Sequence, residues 1–507
     1  MAIARYTASA DTTITNAFGA NLVTRGTGSN MGYADSLEIF SIYGQDSGSN
    51  GQSQELSRAL IKFPIDTIDA ARTAGKIPAS GSVSFYLRMY NAKHPFTLPQ
   101  DFNLMVVPVS RSWDEGAGLD MDEYKDLGQS NWGMATRATG WTNQGGDYLT
   151  ASNYNVSFPQ GYEDIELDVS EIVELWIDSS NEFTNYGFGM HLTASQEAYF
   201  SSSVGSDSGS VLQNTVGATQ SYYTKKFFAR SSEFFFQRPV LEARWDSRTE
   251  DDRENFYYSS SLAPAADNLN NLYLYNYIKG RLVNIPAVGS ADMLVSFYSS
   301  SFGVPTGSAL KLSIGGDVIA SGDTNATASY SSAGLYLCQT ALTAASTALL
   351  EINDVWHSGG VQYYTGSIYP EKIPTYDSAP TFNRITSCTN LKKRYSPQDT
   401  SRFRFFVRSR DWSPTLYTVS TTNNPSEIIT SASYAVYRTT DNYPAIGYGT
   451  GSSKSTYLSY DKSGNYFDLD ISLLEPDYMY EIKLSYYNDS IGAWQEQTQT
   501  FKFRVEE

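Results

Sequence analysis

Residues 82–90 read SVSFYLRMY, and this stretch indicates the fold more clearly than any other. Phenylalanine, leucine and methionine occupy alternate positions, and two tyrosines and an arginine stand between and after them. Successive side chains of a strand point to opposite faces, so the alternation predicts a β-strand with one face in a core.

The composition of the whole chain is also typical of β-structure. Aromatic residues make up 14% of the 507 residues, with 38 Tyr and 25 Phe, while charged residues make up 18%. Aromatic side chains suit a pleated, half-buried surface. A chain of this length has room for about three domains of ordinary size. We therefore expect an all-β, multi-domain protein.

The charge balance limits the classes of partner. The formal net charge is -18, so the chain as a whole repels phosphate backbones and anionic membranes. The first residues, MAIARYTASADTTITNAF, lack the apolar core of a signal peptide, and no stretch approaches the apolar length of a membrane span. We expect a protein made in a cytoplasm, without a nucleic-acid or membrane partner.

The cysteine count excludes a disulfide framework. The chain has two cysteines, Cys338 and Cys388, and their spacing does not decide whether they form a single bridge. Two buried free thiols in a reducing cytoplasm are the favoured interpretation.

A long segment without helical or strand periodicity runs from Arg111 to Tyr148. It contains Trp113, Trp132 and Trp141 among glycines and carboxylates, whereas disordered segments are poor in aromatic residues. The run Met105–Val109 before it is apolar on both faces, as expected for a strand covered on both sides. We predict an ordered loop capped by buried indoles.

One helix is expected in the first 245 residues. Within residues 165–177 the apolar period becomes helical, with Ile172, Val173 and Trp176 on one face. Residues 57–65 (SRALIKFPI) instead alternate and predict a strand, which the proline places at an edge or an end of a sheet.

The first 245 residues resemble the DNRLRE domain, a β-sandwich of the carbohydrate-binding-module type. The motifs that carry the resemblance occur in family order: Ala10-Asp11 before Thr12–Ile14, SNMGYADSLEIF, RALIKFPID, SVSFYLRMY, the SWDE turn, GWTNQGGDY, LDVSEIVELWI and YGFGMHL. They cover nearly all of the domain. The resemblance implies a jelly-roll or carbohydrate-binding-module-like β-sandwich over residues 1–245, in which Trp113 and Trp141 serve mainly in packing.

Strand-like runs separated by turn residues continue to the end of the chain. Their spacing predicts two smaller, immunoglobulin-like β-sandwiches over residues 255–370 and 403–507. The charge run at 246–254 is predicted to be a linker. Residues 371–402, rich in Pro, Ser and Thr, are predicted to be a second, extended linker.

The later part of the chain resembles structural proteins of tailed bacteriophages. The resemblance is carried by DVWHSGGVQYYTGSI, YLSYDKSGNYFDLDISLLEPDYMYEIKLSYY and the terminal FKFRVEE. It implies a virion component that is assembled inside the host and docks on other virion proteins of the tail, neck or capsid surface. Such a component is expected in several copies, as a homo-oligomer or ring.

Catalytic motifs are absent from the sequence. No HExxH, GxSxG or GxxxxGK[ST] occurs, and the three histidines fall one to a region. We therefore expect a non-enzymatic protein. Asp120, Asp122 and Asp126 are a candidate calcium site, because clustered carboxylates offer hard oxygen ligands. Their spacing is not that of an EF-hand, and a solvated acidic loop is the alternative.

Adjacent tyrosines suggest a second kind of site. They occur at Tyr222–Tyr223, Tyr363–Tyr364 and Tyr486–Tyr487. In a strand, one member of each pair faces the core and the other faces outward. The outward member can pack on a protein partner, bind a host glycan or cover the sheet; the first use is favoured, because protein interfaces are enriched in aromatics. The alternative function is a carbohydrate-binding or adhesion protein that recognises host-surface glycans.

Overall fold

The computed structural model describes residues 2–44, 54–93, 99–178, 183–201, 211–260, 262–264, 266–310, 312, 324–342, 349–370, 383–410, 426–489 and 491–506. Strands account for 44% of the structure and helices for 7%. The expected all-β, multi-domain fold is confirmed, with sheets of the β-sandwich type in several domains. The chain forms two compact units: an N-terminal unit, mainly residues 2–246, and a C-terminal unit, residues 247–450 and 456–507.

In the described residues of the N-terminal unit, the chain forms two antiparallel sheets and two α-helices. In chain order the elements are β1 (Ile3–Thr7), β2 (Ala10–Thr15), β3 (Ser36–Tyr43), β4 (Gln54–Lys62), α1 (Ile65–Thr73), β5 (Ser84–Met89), β6 (Phe102–Pro108), β7 (Tyr154–Phe158), β8 (Ile165–Asp168), α2 (Ser170–Ile177), β9 (Phe188–Leu192), β10 (Tyr222–Phe228) and β11 (Val240–Arg244). The smaller sheet has the order β1-β11-β5-β8. The larger one has the order β10-β3-β4-β9-β6-β7, and β2 also pairs with β4.

The main core of the N-terminal unit takes side chains from both sheets. Phe85, Leu87 and Met89 of β5 are fully buried in it, as the alternation in residues 82–90 predicts. Ile61 of β4 and Met190 of β9 enter the same core from the larger sheet. Burial of each such side chain contributes about 1.5–3 kcal/mol.

The helix predicted within residues 165–177 is present as α2, but it is not alone. The predicted strand over residues 57–65 ends at Lys62, and α1 begins at Ile65. The expectation of one helix was therefore wrong. Pro64 stands at the N-cap of α1, where its fixed φ and missing N–H are tolerated, so here it marks a helix start and not a strand edge.

The first half of the C-terminal unit is one large antiparallel sheet and a small hairpin. Its strands are β12 (Asn270–Tyr275), β13 (Tyr277–Ile278), β14 (Arg281–Leu282), β15 (Met293–Ser301), β16 (Val304–Thr306), β17 (Asn325–Ser332), β18 (Leu335–Thr340), β19 (Ile352–Ser358) and β20 (Val361–Ile368). The order of the large sheet is β12-β18-β17-β15-β19-β20, with β16 also paired to β15. Strands β13 and β14 pair with each other.

The second half of the C-terminal unit has two sheets in the part of the chain that the structure describes. Its strands are β21 (Arg384–Cys388), β22 (Arg394–Tyr395), β23 (Thr400–Ser409), β24 (Ala432–Arg438), β25 (Tyr443–Ile446), β26 (Ser459–Asp461), β27 (Gly464–Asp470), β28 (Met479–Asn488), β29 (Ala493–Glu496) and β30 (Phe501–Val505). The sheet orders are β21-β23-β27-β26 and β22-β30-β28-β24-β25, and β29 pairs with β28. Short 3-10 helices occur at Phe235–Gln237, Asp252–Glu254, Ala266–Asn268 and Ile471–Leu473.

The two predicted linkers contain ordered structure. The charge run 246–254 includes the Asp252–Glu254 turn, and the side chains of Asp251 and Arg253 are buried. Residues 371–382 of the second predicted linker lie outside the described residues, and the remainder includes β21 and β22. Strands and buried ion pairs therefore occupy stretches whose composition is polar.

The two cysteines are free thiols, as favoured from the sequence. Cys338 is buried and Cys388 is partly buried, and burial raises the pKa of each. Among the helices of the described residues, none has the length and apolar character needed to cross a membrane.

Candidate functional site

The loop from Arg111 to Tyr148 covers the outer face of the larger sheet in the N-terminal unit. Trp113, Trp132 and Trp141 are all buried, which confirms the prediction of an ordered loop with buried indoles. Leu56 and Leu60 of β4 join them in a second hydrophobic cluster, while the alternate residues of the same strand enter the main core. The tryptophans are thus used in packing.

A polar cluster lies beneath this loop. Arg58 of β4 donates two hydrogen bonds to Glu197, at 3.0 and 2.8 Å, and one of 3.1 Å to the carbonyl of Gly145 in the loop. His191 Nδ1 is 4.0 Å from Glu197 Oε1, and burial lowers the histidine pKa. The bidentate pair joins β4 to Glu197, the bond to Gly145 ties the loop to the same strand, and His191 packs beside the pair.

The predicted calcium ligand Asp120 is instead a hydrogen-bond acceptor for its own turn. Its Oδ1 accepts the backbone N–H groups of residues 122–124, at 2.9, 2.8 and 3.0 Å. These bonds, chiefly the one from the Tyr124 N–H, lower the pKa of the Asp120 carboxyl. Aspartates commonly close loops in this way.

The other two aspartates of the candidate site bind different parts of the structure. Asp122 Oδ2 accepts the N–H of Ala20 at 3.0 Å, and Asp126 Oδ2 accepts that of Ala117 at 2.8 Å. Across the described residues, no group of three or more His, Cys, Asp or Glu side chains has the arrangement of a metal site. The structure therefore does not bring Asp120, Asp122 and Asp126 together as a ligand set.

A cavity of about 310 Å³ in the C-terminal unit is a candidate site for a small ligand. Its aromatic wall consists of Tyr273, Tyr275, Tyr277 and Tyr364. We call it the tyrosine cavity. Its volume is at the lower end of the range of ligand-binding pockets.

Strand geometry places three of these tyrosines side by side. Tyr273, Tyr275 and Tyr277 are two residues apart in sequence, so an extended chain directs them to one face. The Tyr275 and Tyr277 rings are parallel within 8°, with centroids 6.4 Å apart, and the Tyr273 and Tyr275 centroids are 6.1 Å apart. Tyr273 is buried and Tyr277 is 52% exposed. The aromatic row thus leads from the interior to the surface.

Paired charges form the rest of the cavity wall. Arg404 makes a bidentate pair with Asp461, at 2.6 and 2.8 Å. Arg253 donates to Asp251 at 3.0 Å, and burial raises the pKa of that carboxyl to about 7, although Arg253 opposes the rise. Lys462 also lines the cavity. Aromatic faces beside fixed donors and acceptors are suited to binding a polar ring-shaped molecule.

The adjacent tyrosine pairs differ in their use. Tyr486 is buried and its hydroxyl lies 2.8 Å from that of Thr386, while Tyr487 is partly exposed, as the alternation of a strand predicts. Tyr363 and Tyr364 are both partly buried against the core of the large sheet in the C-terminal unit. Tyr222 packs partly on the main core of the N-terminal unit, and the side chain of its neighbour lies outside the described residues.

A group of exposed apolar side chains lies around the β15–β16 hairpin. Phe302 at its tip is 101% exposed, and Val304, Leu350 and Tyr369 are 60%, 72% and 55% exposed. Glu351, which follows Leu350 in sequence, lies between the hairpin and Tyr369: its Oε1 is 3.9 Å from the position of a Cβ on Gly303, and it accepts a 3.5 Å hydrogen bond from the Tyr369 hydroxyl. We call Phe302, Val304, Leu350 and Tyr369 the hairpin patch.

Sequence reasoning missed both of these features. The tyrosine spacing in LYLYNYIKG was a usable signal, because residues two apart share one face of a strand. No sequence pattern marked the charged residues that line the cavity beside the tyrosines. Arg253 lies in a charge run that reads as solvated, and Arg404 is distant from the tyrosines in sequence. Phe302 is not distinguished from a core phenylalanine by its neighbours in sequence.

Known proteins show only weak similarity to this chain. No protein-family model matches the chain, and no curated protein matches it. Trypsin-activated alpha-2-macroglobulin from Escherichia coli is similar at 11% identity and a TM-score of 0.15, over 81% of this chain and 29% of that chain. Salmonella alpha-2-macroglobulin reacted with methylamine is similar at 9% identity and a TM-score of 0.15, over 97% of this chain and 28% of that chain. The chain thus spans less than a third of each, and likenesses this weak carry no argument.

Proposed function

We propose that this chain is a non-enzymatic structural protein of a tailed-phage virion, several copies of which dock on other virion proteins of the tail, neck or capsid surface. The hairpin patch is the observation that carries the proposal. Protein interfaces are enriched in aromatic side chains, and a wholly exposed phenylalanine gains about 1.5–3 kcal/mol when a partner buries it.

The hairpin that carries the patch presents Phe302 in a defined position. Three residue pairs join β15 to β16, from Ser299 with Thr306 to Ser301 with Val304. Phe302 itself has a φ of 53°, a left-handed conformation that non-glycine residues seldom adopt. An exposed aromatic side chain on a defined hairpin backbone supports docking onto a protein partner.

Ion pairs across strands support a structural role in the same unit. Arg402 binds Asp468 at 2.8 and 2.9 Å, joining β23 to β27, and Arg404 binds Asp461 of β26. These carboxylates are committed to bidentate pairs, which add geometric specificity to the fold. Ion pairs that join neighbouring strands in this way suit a rigid component of a particle.

The net charge of -18 supports protein partners over nucleic acid. Like charge between free subunits favours solubility before assembly, and docking can then proceed through local apolar contact. We infer assembly in the host cytoplasm, with a homo-oligomer or ring as the form in the virion.

Reconstruction of purified virus particles tests this proposal. We expect density for the chain in a symmetric layer, with the hairpin patch against a neighbouring protein. Phe302→Asp should reduce incorporation of the protein into particles, whereas Val23→Asp, at a residue 77% exposed in the N-terminal unit, should not. Equal incorporation of both variants, or absence of the chain from particles, would contradict the proposal.

The tyrosine cavity favours a second candidate function, carbohydrate binding on a host surface. Sugar rings stack on aromatic faces, and Tyr277 offers one that is half exposed at the cavity mouth. A glycan array with the full chain tests this function. Tyr277→Ala should abolish binding, while Tyr124→Ala, which removes a tyrosine 64% exposed in the N-terminal unit, should preserve it. An array without binding, or binding insensitive to Tyr277→Ala, would exclude this site.

A further inference from the structure

Two consecutive lysines of β10 have opposite surroundings. Lys226 forms an ion pair with Glu38, whereas Lys225 is 1% exposed and its ammonium nitrogen lies in the interior of the N-terminal unit. Successive side chains of a strand point to opposite faces, which explains the contrast. Lysines are seldom fully buried, so the contacts of Lys225 require an explanation.

The nearest side chain to this nitrogen is a carboxamide. Lys225 Nζ donates to Asn91 Oδ1 at 2.7 Å, and to the backbone carbonyls of Glu163 and Gly161 at 2.8 and 3.1 Å. Asn91 Cγ is bonded to Oδ1 at about 1.23 Å, so it lies within about 4 Å of Nζ. Reacting atoms in near-attack geometry are about 3–3.5 Å apart, and a small movement would bring the amine to the carbonyl carbon.

The backbone holds both partners in this position. Asn91 pairs with Phe227 of β10 in an isolated antiparallel bridge, and the N–H of Ala92 donates to the carbonyl of Lys226 at 3.0 Å. The Asn91 N–H donates to Asp164 Oδ1 at 2.7 Å. Amine and carboxamide are therefore held at a fixed separation by the fold itself.

Burial eases deprotonation of Nζ, although the surrounding rings and carbonyl oxygens stabilise the ammonium form. The nitrogen lies over the rings of Phe158 and Phe227, 4.8 and 5.0 Å from their centroids. Burial lowers the pKa of Lys225 to about 8, against the opposing carboxylates of Glu163 and Asp164. The neutral, nucleophilic amine is therefore more accessible in Lys225 than in an exposed lysine.

A carboxyl group without a full set of partners lies in the same region. Glu163 Oε1 accepts the N–H of Gln160 at 2.7 Å, while its Oε2 is buried and has no hydrogen-bond partner in the described part of the chain. The Glu163 carboxylate also acts electrostatically on Lys225. A buried oxygen without a hydrogen-bond partner destabilises the folded state. A role in proton transfer would explain its presence.

We propose that Lys225 and Asn91 form an intramolecular isopeptide bond, with Glu163 as the proton carrier. The neutral amine attacks Asn91 Cγ, and the new N–C bond makes a tetrahedral intermediate. Glu163 takes a proton from the attacking nitrogen and gives it to the departing amide nitrogen. The C–N bond of the carboxamide then breaks and ammonia leaves, so that one secondary amide and one ammonia balance the amine and the primary amide. Asn91 is partly exposed, which gives the ammonia a route to solvent.

The mass of the intact full chain tests the proposal directly. We expect the wild-type protein to be lighter than its sequence by one ammonia molecule, a deficit that Lys225→Met and Asn91→Ala each abolish. Lys226→Met should keep the deficit, because that lysine faces away. Protease digestion should give a branched peptide that joins the segments around residues 91 and 225.

Two further variants test the role of Glu163. Glu163→Gln keeps the size of the side chain but cannot exchange protons, so we expect full mass in that variant; Glu38→Gln, which changes the partner of the outward-facing Lys226, should keep the deficit. A wild-type chain of unmodified mass, even after prolonged incubation at pH 9, would show that Lys225 only donates hydrogen bonds and would overturn the proposal. A deficit that persists in Glu163→Gln would overturn the assignment of the proton carrier.

Discussion

The Arg253 guanidinium joins two carboxylates in the interior of the C-terminal unit, at 2.7 Å to Asp354 and 3.0 Å to Asp251. Neither aspartate is more than 2% exposed. Asp354 also accepts the indole N–H of Trp356 at 2.6 Å. A single cation thus satisfies charges from two distant parts of the chain, and the interior depends on its presence.

Loss of this arginine should destabilise the C-terminal unit strongly. Arg253→Leu leaves two buried carboxylates without their cation, and breaking such a pair costs about 3–5 kcal/mol. Urea denaturation of the full chain measures the effect. Arg394→Leu is the control, because that side chain is 75% exposed in its pair with Glu506 and should change the free energy of unfolding by less than about 1 kcal/mol. Similar values for both variants would contradict the prediction.

The second hydrophobic cluster of the N-terminal unit should depend on its central indole. Trp132 is fully buried, so Trp132→Ala removes its packing and leaves a cavity, at a cost of about 3–5 kcal/mol. Tyr124→Ala, in the same loop but at an exposed side chain, should have little effect. Thermal unfolding distinguishes them, and equal melting temperatures would show that the loop adds nothing to stability.

A glycine in β9 makes room for a tyrosine ring. A Cβ at Gly189 would lie 2.1 Å from Tyr148 Cε1, so Gly189→Ala should cost about 1–3 kcal/mol through overpacking. The cost should fall in a Tyr148→Ala background, because the clashing ring is then absent. A double-mutant cycle of unfolding free energies measures the coupling, and additive effects would refute the proposed contact.

The buried Asp11 should make the N-terminal unit less stable as the pH rises. Its Oδ2 accepts the N–H of Arg230 at 2.7 Å, and burial raises its pKa from 3.8 to about 7. Between these values the folded chain binds a proton that the unfolded chain has lost, so stability falls as pH increases through this window.

Asp11→Asn removes this titration and should raise the melting temperature at pH 8 by a few degrees, with a smaller effect at pH 4. Asp66→Asn, which changes an exposed carboxylate of α1, is the matched control. A stability gain at pH 8 no larger than at pH 4 would show that Asp11 does not titrate in this range.

Removal of calcium should not change the stability of the acidic turn, the segment that contains Asp120, Asp122 and Asp126. Asp120 accepts three backbone N–H groups, and Asp122 and Asp126 bind amides elsewhere, so no ion is needed to separate them. We expect the same melting temperature with a chelator and with added calcium. An increase on adding calcium that Asp120→Asn abolishes would instead support the calcium site.

The parts of the fold that were predictable are those set by local periodicity. The alternation in residues 82–90 and the helical spacing around Trp176 each reflect one core-facing surface, which a short stretch of sequence records. The helix α1 was missed because Phe63 and Ile65 continue the apolar alternation of β4 up to the first residue of the helix. Only Pro64 marks the boundary.

The candidate sites were predictable only in part, because they depend on contacts between distant residues. The tyrosine cavity combines Tyr275 with Arg404, and the proposed cross-link combines Asn91 with Lys225. Nothing in a local window distinguishes Lys225 from Lys226. The acidic turn was the reverse case: its carboxylates cluster in sequence, but each binds a different amide.

The loop from Arg111 to Tyr148 also covers the second face of the strand beneath it. Strand β4 has paired neighbours on both edges, the main core on one face and the loop on the other. Its amide protons should therefore exchange with solvent more slowly than those of the edge strands. The unit is thus layered as sheet, core, sheet, second core and loop, and β4 lies between the two cores.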